Sequence, residues 1–94
     1  MKIVILGAGV TGSSVARALS SEENDIVVID KNPLLLTALK GRLDIATIEG
    51  NAAHPSVLEQ AGIRDADMVI AVTDRDETNM LACQVINTLY SKPK

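Results

Sequence analysis

Four short runs rich in branched aliphatic residues, KIVIL (2–6), DIVVID (25–30), DIATIE (44–49) and ADMVIAV (66–72), alternate along the chain with four segments of helical character. Strands joined through helices run parallel, and their crossovers are almost always right-handed. The alternation therefore predicts an α/β domain: a doubly wound parallel sheet of strand order 3-2-1-4 with helices on both faces. A single aromatic residue, Tyr90, leaves the core to Val, Ile, Leu, Ala and Met, which suits strands buried on both faces. The 94 residues suffice for one domain, 1–94. A complete fold of this type has about six strands, so the chain reads as a truncated piece of a longer protein with strand four on an open edge.

The helices are legible from local chemistry. The first is expected over Val10 to Ser20, and the second from Pro33, with Asn32 as its cap, to Gly41 or Arg42. A short third helix is expected over SVLEQAG (56–62). The fourth starts within TDRDETN, where Asp74 and Glu77 have the spacing of a capping box, and runs to about Tyr90 with Leu81, Val85 and Leu89 as its buried stripe.

A formal net charge of −3 is spread evenly, with five basic and six acidic side chains in residues 1–50 and four and six in residues 51–94. No basic patch supports nucleic-acid binding, and no apolar stretch reaches the roughly 18 residues of a bilayer span, so no membrane insertion is expected. Cys83 is the only cysteine, which excludes an internal disulfide and fits a reducing compartment.

Between the first strand and the first helix stands Gly7-Ala8-Gly9-Val10-Thr11-Gly12, a GxGxxG match in a Rossmann-like setting. The three glycines serve a tight turn, close approach of a pyrophosphate, and close packing of helix on sheet. The helix N-terminus beyond them offers unpaired N–H groups to an anion. Asp30 ends the second strand 18 residues after Gly12, where a carboxylate can accept hydrogen bonds from both ribose hydroxyls and repel a 2′-phosphate. NAD or an adenine nucleotide (ATP, ADP or AMP) is therefore preferred to NADP. Lys31 adjoins Asp30 and tempers that preference. Two further loops leave carboxyl ends of strands. Asn51 and Ala52 either edge an adenine or form a plain turn; Thr73 is placed to contact phosphate or ribose, and Asp74 is better explained as a helix cap.

The stretch GNAAHPSVLEQAGIRDADMVIAVTDRDETNMLACQV resembles the regulatory nucleotide-binding (KTN, or RCK N-terminal) domain of bacterial Trk-type potassium uptake systems, and the likeness extends over nearly the whole chain. It implies a cytoplasmic protein, peripheral on the inner face of the membrane, that binds NAD(H) or an adenine nucleotide, gates a potassium-translocating subunit and forms dimers or higher homo-oligomers. The family's binding positions fall on Gly7 to Thr11, Asp30, Asn51, Ala52, Thr73 and Asp74. Members often carry Gln or Arg and then an apolar residue between the second and third glycines; Val10 and Thr11 stand there instead, leaving the phosphate grip to backbone N–H groups.

The rival reading is a fragment of an NAD-dependent oxidoreductase, which would also need an acid or base for its substrate. Tyr90 and Lys94 have a Y-x-x-x-K spacing, but Pro93 between them would break the helix that must present both. His54 reads as a solvent-facing or turn-stabilising residue, and Cys83 as a small inert core thiol. No metal-ligand spacing stands out. A binding module is therefore preferred to an enzyme, acting when nucleotide orders the glycine loop and the strand-four loop and so shifts how neighbouring domains pack.

Overall fold

The computed structural model describes residues 1–21 and 23–89. Four strands, β1 (Lys2–Leu6), β2 (Asp25–Asp30), β3 (Ala46–Glu49) and β4 (Met68–Ala71), form one sheet of order β3-β2-β1-β4, every pair parallel. The order and the parallel sense are those that the alternation of strand and helix predicts.

Alternate residues of the two central strands build two cores. Ile3, Ile5, Ile26 and Val28 face α1 (Val10–Leu19) and α2 (Pro33–Lys40), where Ala16, Leu36 and Leu39 are buried against them. Val4, Leu6 and Ile29 face the opposite side with Leu58 of α3 (Pro55–Gln60), Ile63 of a 3-10 turn (Ile63–Asp65) and Ala82 of α4 (Asp76–Leu89). A period of two along β1 and β2 thus feeds one helix layer on each face, which is why these strands read as unbroken apolar runs.

Local signals hold where they are chemically complete. The Asn32 side chain accepts from the Leu34 amide at 3.0 Å with Pro33 at the first helical position, as expected of that N-terminus. The third helix starts at Pro55, one residue earlier than predicted, and the 3-10 turn after it carries no signal in the apolar spacing. The edge strands are shorter than predicted: β3 begins at Ala46 and β4 spans four residues, since each pairs on one side only.

Three expectations for α4 are corrected. The helix begins at Asp76, so Asp74 lies two residues outside it and the Asp74/Glu77 capping box is not formed. The buried position is Ala82, with Val85 and Ile86 half-buried against the core, whereas Leu81 is 52% and Leu89 54% exposed. This rotational setting, with Ala82 toward the sheet and Val85 and Ile86 beside it, puts Leu81 on the flank of the helix, whereas Leu89 shares the Ala82 face and is the last residue of α4. The same rotation leaves Cys83 exposed, so it is not a core thiol. Tyr90, Pro93 and Lys94 lie outside the described residues.

Candidate functional site

The loops at the carboxyl ends of β1, β2, β3 and β4 converge, as they must in an open parallel sheet whose strand order reverses beside β1. Their ordering comes first from the glycine loop. Gly7 has φ +121°, and its amide donates to the Ile29 carbonyl at 2.8 Å. A Cβ there would lie 2.7 Å from the Val72 carbonyl oxygen and 2.9 Å from the Thr73 nitrogen, so both conformation and space require glycine. A Cβ on Gly12 would overlap the Gly7 carbonyl group. The close approach at Gly12 is thus helix α1 against the loop's own backbone.

Gly9 differs from both. Its φ of −74° and ψ of −157° are open to any residue, and a Cβ there would meet nothing within 4 Å. Nothing in the fold demands glycine at this position.

Gly9 is the N-cap of α1 and offers no side-chain cap. The first helical bond runs from the Ser13 amide to the Gly9 carbonyl at 2.8 Å, so the amides of Val10, Thr11 and Gly12 have no intrahelical acceptor. Ala8 is buried; Val10, at 88% exposure, and Thr11 face outward. The loop therefore presents backbone donors and a helix-dipole end rather than side-chain charge.

Asp30 joins two loops. Its Oδ2 accepts from the Ala8 amide at 2.8 Å and its Oδ1 from the Asn32 amide at 2.8 Å. Each carboxylate oxygen keeps a further lone pair, so the group is aimed by its neighbours while still able to accept two hydroxyls. Exposed Lys31 stands beside it.

On the far side, Thr73 is held by Asn79. Asn79 Oδ1 lies 2.9 Å from the Thr73 nitrogen and 2.7 Å from the Thr73 hydroxyl, and Asn79 Nδ2 donates to the Thr73 carbonyl at 3.2 Å. The hydroxyl is also within 3.1 Å of the Arg75 carbonyl oxygen and accepts from the Arg75 amide at 3.3 Å. Thr73 Oγ1 is therefore engaged inside its own loop. Both loops expected to order on binding are already held by hydrogen bonds, through Asp30 on one side and Asn79 on the other.

Asp30, Lys31, Asp74 and Arg75 line two adjoining hollows. One, of about 520 Å³, also touches Gly9, Asn32 and Leu35; a second, of about 30 Å³, reaches Asn51, Ala52 and Thr73. The first is of the size that holds a small organic ligand. Asn51 caps its own turn, accepting from the Ala53 amide at 2.9 Å, and Ala52 is buried in the core beneath it. A wider groove of about 740 Å³ lies at the opposite end of the sheet, around Lys2, Asn24 and Asp44, away from every glycine-loop donor. Ligands of open parallel sheets bind at the carboxyl ends, so the smaller hollows are the candidate site.

Of the predicted positions, Gly9, Asp30, Lys31, Asn51, Ala52, Thr73 and Asp74 line these hollows, although Ala52 is a core residue with little surface to offer; Gly7, Ala8, Val10, Thr11 and Gly12 belong to the adjoining loop and helix start and line neither. The structure adds Arg75 and Asn79, which sequence reasoning missed. Both stand inside the stretch TDRDETN, but no spacing rule links Asn79 to Thr73. His54 is exposed and bonds Ser56 across 3.1 Å at the start of α3, the turn-stabilising part expected of it. Among the described residues no group of three His, Cys, Asp or Glu side chains could hold a metal ion, and no helix is long and apolar enough to cross a membrane.

A family model described as the TrkA-N domain matches residues 3–94. The Trk system potassium uptake protein TrkA of Halomonas elongata is 55% identical over 93 residues, covering 99% of this chain and 20% of that protein. The protein of the same description from Vibrio alginolyticus is 50% identical over 93 residues, with the same coverage. A TrkA homolog from Pyrococcus abyssi is 40% identical over 92 residues, covering 98% of this chain and 40% of its own length. The chain therefore spans only about a fifth of the first two relatives. Among solved structures, the Shewanella denitrificans Kef CTD in AMP-bound form superposes with a TM-score of 0.82 at 24% identity, over 97% of this chain and 54% of that one, which establishes likeness of fold.

Proposed function

The chain belongs to the TrkA-N domain family, and from that premise we propose that residues 1–94 act as one nucleotide-binding domain of the cytoplasmic regulatory protein of a potassium uptake system. The observation that carries the nucleotide part is Gly9: two loop glycines are demanded by the fold, while the third faces open space beside unpaired helix amides. Glycine at a position with room for a side chain leaves the neighbouring amides open to close approach of a phosphate.

In this reading the phosphates lie against the amides of Val10 to Gly12, with Gly7, Ala8 and Gly9 shaping the approach and Thr11 at its rim. The adenosine ribose bonds Asp30 beside Lys31, and Asn51 and Ala52 border the base. Thr73, Asp74 and Arg75 form the opposite wall. NAD(H) is the preferred ligand, with ATP, ADP or AMP as alternatives; AMP is the nucleotide named for the Kef structure. The domain regulates rather than catalyses, a role that rests on its membership of the TrkA-N family and on its likeness to potassium uptake proteins. Its partner is a membrane potassium-translocating subunit, approached from the cytoplasmic face by a dimer or higher homo-oligomer. Nucleotide that favours one packing of these neighbours over another shifts the equilibrium by its difference in affinity.

Calorimetric titration with NADH, NADPH and ATP tests the ribose assignment. NADH is expected to bind at least about tenfold tighter than NADPH, and Asp30→Ala to weaken NADH by about tenfold, equivalent to about 1.4 kcal/mol. Equal affinity for NADPH, or no loss in the variant, would remove Asp30 from the ribose. Arg75→Gln is expected to weaken ATP about fivefold and leave adenosine unchanged, because it removes a charge from the wall facing Gly9. An equal loss for adenosine would place the effect outside the phosphates.

A further inference from the structure

We propose that Asn79 is a positioning residue for this site, a role that rests on the nucleotide reading above. Asn79 is the fourth residue of α4, and its carboxamide reaches back to Thr73, ahead of the helix. It satisfies both main-chain polar groups of Thr73, accepting from the amide at 2.9 Å and donating to the carbonyl at 3.2 Å. Its Oδ1 also accepts the Thr73 hydroxyl at 2.7 Å.

Thr73 in turn abuts the glycine loop. The Val72 amide closes the β1–β4 ladder on the Leu6 carbonyl at 2.9 Å, and the Thr73 backbone stands where a Cβ on Gly7 would come within 2.9 Å. A chain of direct contacts therefore runs from Asn79 through Thr73 to Gly7. Arg75 is tied to the same point by its amide on Thr73 Oγ1 and by its carbonyl, which accepts the Asn79 amide at 3.1 Å.

Residue type follows from this geometry. Aspartate would keep the acceptor but lose the donor to the Thr73 carbonyl and set a charge against it. Alanine would lose both, leaving the half-buried Thr73 backbone to solvent or to strain. Asn79 thus holds one wall of the candidate site before any ligand arrives, so that wall's ordering is not charged against binding.

The test is calorimetric titration of NADH into the unsubstituted protein, Asn79→Ala, Asn79→Asp and Val85→Ala, at a temperature where circular dichroism shows each folded. Hydrogen exchange at the Thr73 amide is followed in parallel. Val85 packs on the core from the same helix and has no polar group with which to hold Thr73, so its truncation controls for destabilisation alone. Asn79→Ala is expected to bind about tenfold more weakly and to lose protection at Thr73. Asn79→Asp should fall between alanine and the parent, and Val85→Ala should match the parent. Parental affinity in Asn79→Ala, or in Asn79→Asp should alanine prevent folding, overturns the role; so does an equal loss in Val85→Ala. No binding by the unsubstituted protein overturns the nucleotide reading itself, and this role with it.

Discussion

Gly12→Ala is expected to cost about 3 kcal/mol or more of folding free energy, read as a fall in the denaturant midpoint at unchanged slope. Helix propensity alone argues for the opposite sign, since alanine in a helix is favoured over glycine by about 1 kcal/mol. The contact decides otherwise. The new methyl would overlap the Gly7 carbonyl group, and that group has nowhere to go. Gly7 is held by the hydrogen bond its amide donates to the Ile29 carbonyl, by a positive φ, and by the Val72–Thr73 backbone behind it. Backbone against backbone cannot be relieved by a rotamer change, unlike most overpacked sites. Against a typical total stability of about 5–15 kcal/mol, the variant should be partly unfolded at modest temperature. A midpoint shift worth less than about 1 kcal/mol would show that α1 can slide away from the loop, and the packing role of Gly12 would have to be abandoned.

Gly9→Val should separate binding from folding. The backbone there has a negative φ, and the added Cβ meets nothing within 4 Å. Loss of a good N-cap is the remaining cost, about 1 kcal/mol or less. The isopropyl group would instead occupy the space over the amides of Val10 to Gly12, in the hollow that Gly9 helps to line. Affinity for NADH or AMP should fall by about 100-fold, or about 2.7 kcal/mol, in protein whose thermal midpoint barely moves. Unchanged affinity would mean that phosphate does not pass over Gly9. A collapse of stability would instead mean that the position is structural after all.

These two glycines also mark how far the sequence could be read. The GxGxxG pattern treats its three glycines as a set, and the pattern alone could not divide them. The division rests on Gly7 touching Thr73, a residue 66 positions away, and on Gly12 touching Gly7 across a turn. Asp30 was legible as a candidate from its place at the end of β2, but its grip on the Ala8 and Asn32 amides was not. The start of α4 misled for a related reason. Asp74 and Glu77 satisfy a local capping pattern, yet the turn is closed by Thr73 and Asn79, and a six-residue spacing matches no capping rule.

What the sequence by itself determined is what local chemistry and connection lengths fix: which segments are strands and helices, the Asn32-Pro33 helix start, and the parallel sense that helical connections force. Local sterics and hydrogen bonding decide these before the chain closes. Only the tertiary structure decided the rotation of α4, with Ala82 inward and Leu81 and Cys83 outward, the clamp of Asn79 on Thr73, and which glycine the fold leaves unclaimed. Each of these is a distance between segments far apart in sequence, set by close packing of whole elements that no local pattern encodes.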